Sequence, residues 1–290
     1  MPVISDLLVY PIKSCRGIAV THARLLDTGL EYDRNWMVTD PTGAMLTQRT
    51  HPKLALVHTA IGEHDLVLCA PGMPELRTPL AVVALQPHAT AIAATVWRDT
   101  VHALDTGEHT ARWFTEFLQT PARLVRFAPG TRRVVDSKWT GQRVAHTHFA
   151  DGFPLLVLGQ ASLDELNKRL RDKGAPEVPM DRFRPNLVLT GLDAHEEDYV
   201  DSLDVETEGA RVRINLVKLC TRCPVPTIDQ RTGMPAPEWP HEPLDTMSAY
   251  RSNARLNGAL TFGKNGIVVN GAGASLALGQ AVEAEIGFGD

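Results

Sequence analysis

Apolar and polar residues alternate through much of the first hundred positions, and a two-residue period is the mark of strands with one buried face. Val3–Tyr10, Ala19–Leu26 and Asn35–Thr39 carry it most clearly. Asp40-Pro41-Thr42-Gly43 then supplies a turn, since proline fixes φ and glycine admits a positive one. The expected hairpin pairs Trp36–Thr39 with Ala44–Gln48. A second joins Leu54–Ile61 to Asp65–Cys69 across Gly62-Glu63-His64. The period lengthens at His109–Leu118, where Ala111, Phe114, Phe117 and Leu118 fall at helical spacing.

Leu124–Phe127 returns to a strand pattern, and Pro129–His148 has no clean period, which suits a long loop or connection. Pro154–Gly159 is continuously apolar, as a buried strand is. Ser162-Leu163-Asp164-Glu165 fits a capping box, and Leu163, Leu166 and Leu170 give the buried stripe of the helix it opens. Asn186–Thr190, Ala210–Leu219, Gly266–Asn270 and Gln280–Ile286 read as strands and Pro243–Arg251 as a short helix. Strands outnumber helices and no repeat appears, so an α+β fold containing a barrel is expected in place of a doubly wound one.

The 290 residues exceed the usual size of one domain, which suggests one large domain or two interleaved ones. Hydrophobic content of 43% beside 22% charged residues is that of a soluble globular chain. A net charge of -5 lacks the basic footprint of a general nucleic-acid binder. No apolar run is long enough for a bilayer, and Met1–Tyr10 has no basic region leading into an apolar one. Four scattered cysteines do not make a disulfide scaffold, so a reducing, cytoplasmic setting without membrane or nucleic-acid partners is expected.

The chemistry gathers in a few places. Cys220-Thr221-Arg222-Cys223 closes a strand, and a cation between two thiols favours thiolate. The pair admits three readings. It could hold zinc together with His146 and His148; it could be a dithiol, although Pro224 and Pro226 oppose a helix start; or one cysteine could be a ligand and the other a neighbour. Lys13 and Ser14, in Tyr10–Gly17, form a turn able to hold an anion or simply a solvated one. Arg34, in Asp33-Arg34-Asn35-Trp36, is either a second anion ligand or a strand start. Pro185 should keep Arg184 extended, so that Arg184 and Asn186 share a face. Asp151 precedes a buried strand and could accept hydrogen bonds from a heterocycle or cap a turn. The glycine-rich Asn270–Ala274 opens no helix and is not a nucleotide loop.

Taken in order, these segments resemble the MOSC-domain molybdenum enzymes, in particular the mitochondrial amidoxime-reducing component and bacterial YcbX-type branches. The resemblance is carried by Tyr10–Gly17, Asp33–Val38, Thr47–Val57, Phe149–Leu158, Ala161–Leu170, Arg182–Gly191, Cys220–Gly233, Pro243–Arg251 and Phe262–Val268. It implies a MOSC β-barrel (126–290) with a smaller α/β N-terminal domain (1–125), whose first strands can complete the barrel. It implies a molybdenum cofactor ligated by Cys223, a soft thiolate suited to that metal, with Cys220 structural. Lys13, Ser14, Arg34, Arg184, Asn186, Thr221 and Arg222 match positions that contact its phosphate and pterin, and Asp151 matches an acid near the metal. The implied activity is two-electron oxygen-atom transfer from N-hydroxylated compounds such as amidoximes, hydroxylamines and N-hydroxylated bases. Where the mitochondrial relatives often carry a hydroxyl after the acid, this chain has Gly152-Phe153. The four cysteines show no iron–sulfur spacing, so electrons are expected from a separate donor protein, and, unlike the mitochondrial relatives, no N-terminal membrane anchor is expected. A cofactor carrier or sulfur-handling protein is the alternative in the same family.

Overall fold

The computed structural model describes residues 1–85 and 90–287, which leaves the last three positions of the expected second domain outside it. Its largest element is a nine-stranded sheet. The order is Ile18–Val20, Val3–Val9, Leu187–Thr190, Leu155–Gly159, Ala259–Asn270, Ala210–Thr221, Val200–Thr207 and Glu283–Ile286, with Ser252–Asn253 added beside Ala259–Asn270. The sheet curls until the start of Val3–Val9 meets the residues that lead into Glu283–Ile286. Val3 bridges Ala281, the Ile4 N–H donates to the Gln280 carbonyl at 3.0 Å, and the Val282 N–H to that of Pro2 at 2.9 Å. Leu155–Gly159 and Leu187–Thr190 run parallel, and helix Gln160–Asp172 lies in the connection that a parallel pair requires. Leu7, Val157, Leu187, Leu203 and Ile214 are wholly buried inside, each contributing about 1.5–3 kcal/mol by removal from water.

A second core lies in the N-terminal part. Trp36–Thr39, Arg123–Phe127, Asp99–Asp105 and Ala91–Val96 form an antiparallel four-stranded sheet, and His58–Ile61, Asp65–Cys69 and Leu76–Pro79 a three-stranded one. Helix Glu108–Leu118 sets Trp113, Phe114 and Phe117 against Trp36, Leu54 and Leu68. Strands thus dominate both regions, as the alternation implies.

Four local expectations change. The Asp40–Gly43 turn forms, with the Gly43 N–H 3.1 Å from the Asp40 carbonyl, but only the Thr39–Met45 bridge follows it. Trp36–Thr39 keeps that short return pairing, with the Leu46 N–H on the Val38 carbonyl at 2.8 Å, and forms its longer ladder with Arg123–Phe127 on its other edge. Pro52 begins a 3-10 turn over Pro52–Leu56, so the second hairpin starts at His58. Ala19–Leu26 breaks at Thr21: Ile18–Val20 joins Val3–Val9, while His22–Leu26 pairs with Ser275–Ala277 and Gly29–Leu30. Ser162 does not cap its helix, which starts at Gln160 with Gly159 at the cap. The Ser162 hydroxyl lies within the first turn, donates to Glu197 Oε2 at 2.6 Å and accepts the His195 N–H at 2.8 Å.

Candidate functional site

Three segments far apart in sequence are stitched together by their backbones. Tyr10–Ser14 lies parallel to Arg34–Trp36: the Arg34 N–H donates to the Tyr10 carbonyl at 2.7 Å, that of Trp36 to Pro11 at 3.0 Å, and that of Lys13 to Trp36 at 2.8 Å. The Phe149 N–H then donates to the Arg34 carbonyl at 3.0 Å and brings the Asp151 loop alongside. Cys220–Cys223 arrives from the opposite side at the end of Ala210–Thr221, with the Arg222 N–H on the Leu260 carbonyl at 2.8 Å. The result is one cleft. Lys13, Ser14, Arg34, Asp151, Arg184, Asn186, Thr221, Arg222 and Cys223 all line it, as does Cys220. Both cysteines are free and half-buried.

The backbone is strained at this place. Ser14 (φ 68°), Arg34 (φ 50°), Trp97 (φ 55°) and Arg184 (φ 58°) all line the cleft in the left-handed region, although none is glycine. Such a conformation costs about 1–3 kcal/mol at each position and persists only where the surroundings enforce it. At Ser14 it is the third position of the turn closed by the Cys15 N–H on the Ile12 carbonyl at 3.1 Å. Arg184 overturns the extended conformation expected before Pro185. Its guanidinium lies 4.3 Å from the centre of the buried Tyr10 ring, which also has Arg34 at 4.2 Å.

The charges divide into those with partners and those without. Lys13, 5% exposed, donates its ammonium to Asp151 Oδ1. Burial lowers the Lys13 pKa, and Asp151 works against that shift. Loss of hydration opposes ionisation of Asp151, although its side chain is still largely exposed, and the Lys13 charge, its hydrogen bond and one from Trp97 outweigh it and hold the carboxyl well below its ordinary range. Arg34 grips both oxygens of the buried Asp33 at 2.7 and 2.6 Å and donates to the Arg184 carbonyl at 3.2 Å. Arg222 donates to the carbonyl of Phe262 at 3.0 and 2.6 Å and to that of Phe183 at 2.9 Å, so its guanidinium fastens two segments together. Asn186 does likewise: its amide donates to the Leu8 carbonyl at 3.1 Å and accepts the Leu156 N–H at 3.2 Å. Among the described residues the Arg184 guanidinium has no hydrogen bond or ion pair, only the Tyr10 ring. The cleft therefore holds cationic charge in excess of its carboxylates beside a free thiol. A phosphate-bearing thiolate-ligated group fits that donor set.

Other groups were not visible in the motifs. Arg133 is 6% exposed and donates to the carbonyls of His148 and Asp151, each at 2.9 Å, to that of Ala150, and to Asp99 at 2.8 Å. It holds the Asp151 loop in place. Gln48 and Gln230 exchange amide hydrogen bonds at 2.9 and 3.1 Å, and Gln48 also donates to the Ser14 carbonyl at 2.7 Å. Arg182 fastens the turn after Cys223 through the Pro226 and Thr227 carbonyls at 3.1 and 2.9 Å. Trp97, from a hairpin tip, donates its indole N–H to Asp151 Oδ1 at 3.1 Å.

The zinc reading fails on geometry. Among the described residues no three His, Cys, Asp or Glu side chains are arranged to hold a metal by themselves. His148 instead hydrogen-bonds Asn35 Oδ1 through Nδ1 at 2.6 Å, packs on Phe127, and is pushed by burial down to about 4. His146 lies in a bridge with Val134.

Comparison with known proteins agrees with this arrangement. Residues 1–121 match the MOSC N-terminal beta barrel domain and residues 145–283 the MOSC domain. The chain is 35% identical over 258 residues to mitochondrial amidoxime reducing component 2 of Bos taurus, covering 86% of this chain and 72% of the relative. It is 34% identical to components 2 and 1 of Homo sapiens, with the same coverage. Two matched domains in family order, and this identity over most of both chains, make the protein a member of the MOSC-domain family that contains the amidoxime-reducing components.

Proposed function

We propose that the protein is a molybdenum-cofactor-dependent oxidoreductase that removes oxygen from N-hydroxylated compounds, with electrons delivered by a separate donor protein. The observation that carries the reading is Arg184, a cation with no polar partner of its own, set in one cleft with the free thiol of Cys223. The named activity of the relatives supports the substrate class. In this reading an N-terminal unit (1–125) and a MOSC unit (126–290) enclose the cleft.

Cys223 would ligate the metal. Lys13, Ser14 and Arg184 would take the cofactor's phosphate and pterin, with Arg34, Asn186, Thr221 and Arg222 fixing the walls against which it lies. When bound, the cofactor supplies a two-electron centre able to accept oxygen. The chain's own residues do the rest. Asp151 Oδ1 is occupied by Lys13 and Trp97. Its Oδ2 is left to accept a hydrogen bond from the N–H or O–H of the substrate. A carboxyl held this far below its ordinary range stays ionised and orients the substrate. It is a poor proton donor at neutral pH, so the two protons consumed, one ending on the nitrogen and one in the water released, come from solvent, directly or through the Lys13 ammonium.

The test is metal and pterin analysis of protein made in a cofactor-competent host, followed by activity with a chemical reductant. Cys223→Ala should abolish reduction of an amidoxime, and Cys220→Ala should keep part of it. Equal and complete loss in both would replace single ligation by a dithiol site. Bound cofactor with no turnover of any N-hydroxy compound would favour a carrier.

A further inference from the structure

Trp97 is the least expected residue of the cleft. It occupies the first of the two turn positions between Ala91–Val96 and Asp99–Asp105, where Val96 pairs with Asp99. Positive φ at that position alone belongs to a turn that takes glycine there. Here a tryptophan takes it at φ 55°. A glycine would sit there without strain, and the tryptophan persists there only because its surroundings enforce it.

The ring is held by three contacts. Its N–H is on Asp151 Oδ1 at 3.1 Å, and the Arg49 guanidinium and the Lys13 ammonium lie 4.4 and 5.9 Å from the ring centre. Arg49 is exposed, lines the same cleft, and its charge also favours the ionised form of Asp151. Even so held, the indole remains 39% exposed, and it stands in the cleft that Cys223 also lines. A rigid, partly bare aromatic plane beside a reactive centre is preorganised for stacking, because little freedom remains to be lost when a flat ligand settles on it.

We propose that Trp97 is the specificity-determining residue of this site, a stacking platform that favours N-hydroxylated groups borne on a planar conjugated ring over those on compact aliphatic carbon. The inference rests on the reductase reading for the reaction, but not for the binding. The competing account makes Trp97 a positioning residue that acts only through Asp151. The two differ in what they require: stacking needs the ring, and positioning needs the indole N–H.

The experiment uses cofactor-loaded protein with benzamidoxime as the planar probe and acetamidoxime as the compact one. Kinetics are measured with a chemical reductant, and equilibrium binding by calorimetry without one, so that no turnover occurs. Stacking predicts that Trp97→Leu lowers the benzamidoxime-to-acetamidoxime ratio of kcat/KM by about three- to tenfold, through KM. Benzamidoxime binding should weaken to match, and Trp97→Phe should shift the ratio by less than about twofold. Equal effects of Leu and Phe, or a loss in kcat shared by both probes, would overturn it in favour of positioning. Turnover of both probes with no dependence on the ring leaves the reductase standing and removes the platform. Ring-dependent binding of benzamidoxime without turnover of either probe does the reverse.

Discussion

Arg133 shows how one residue can organise a site it does not enter. Its guanidinium is shared among three carbonyls of the Asp151 loop and the Asp99 carboxylate. Removing it orphans acceptors in a buried setting, where an unmet polar group costs more than a met one gains. Arg133→Ala should destabilise the protein by about 3 kcal/mol, and urea unfolding measures it. Arg133→Lys should recover only part, since an ammonium cannot reproduce the planar fork. A variant as stable as the parent would mean that the loop holds itself. No motif pointed to this residue, because it sits in a polar stretch without a period and its partners are set by the fold. Cys223, Lys13 and Asp151 were legible because short, chemically distinct runs surround them. What those runs could not convey was occupancy: Arg34, Arg222 and Asn186 reach the cleft with most of their donors already committed to the protein.

At the scale of the element, the Ala259–Asn270 strand is where stability and site geometry are joined. Gly263 adopts φ 75°, and a Cβ there would lie 2.7 Å from the Val157 carbonyl oxygen of the neighbouring strand. Gly263→Ala should therefore cost about 2 kcal/mol or more, read as a lower urea midpoint. It should also reduce activity, because Arg222 is anchored on the adjacent Phe262 carbonyl. A neutral effect would show that the strands separate freely at this point. The start of helix Gln160–Asp172 gives a second case. Glu197 is wholly buried against Ser162, and its pKa is raised, by loss of hydration more than the Ser162 hydrogen bond lowers it, to about 7. A carboxyl raised in the folded state leaves stability full below its unfolded value and loses it as pH climbs toward the folded one. Between about pH 4.5 and 7 the loss amounts to about 3 kcal/mol. Glu197→Gln should flatten the fall in urea midpoint across that window, and an unchanged slope would exonerate the group. The capping pattern at Ser162 was legible but misassigned, since the hydroxyl found a buried carboxyl thirty-odd positions on that no local pattern encodes. Pairing partners were lost for the same reason. Period-two alternation marks Trp36–Thr39 as a strand, but only the assembled core selects Arg123–Phe127 beside it.

On the scale of the whole molecule, the cleft is a cationic place on a chain of net charge -5. It exists only when distant parts of the chain meet. Lys13, Ser14, Arg34 and Trp97 come from the first hundred residues, and Asp151, Arg184 and Cys223 from the second half. An anion seated there must stabilise the assembled chain over every state in which those parts separate, by RT ln(1 + [L]/Kd). Cofactor-free protein should thus gain about 3 kcal/mol at a hundredfold excess of a phosphate-bearing ligand over its dissociation constant. The gain should shrink as salt rises, because the contacts are largely charge. Arg184 is the cation with most to contribute, as Lys13 and Arg34 already face Asp151 and Asp33. Arg184→Ala should lose most of the ligand-dependent shift in melting temperature while losing little stability without ligand, since it gives up no hydrogen bond or ion pair among the described residues and relieves a positive φ only in part. Inorganic pyrophosphate serves as the probe, with the melting temperature followed at low and high salt. An equal shift in parent and variant would place the anion elsewhere on the surface. The cationic excess would then be a structural device for holding the two halves together through Tyr10, whose ring both arginines cover.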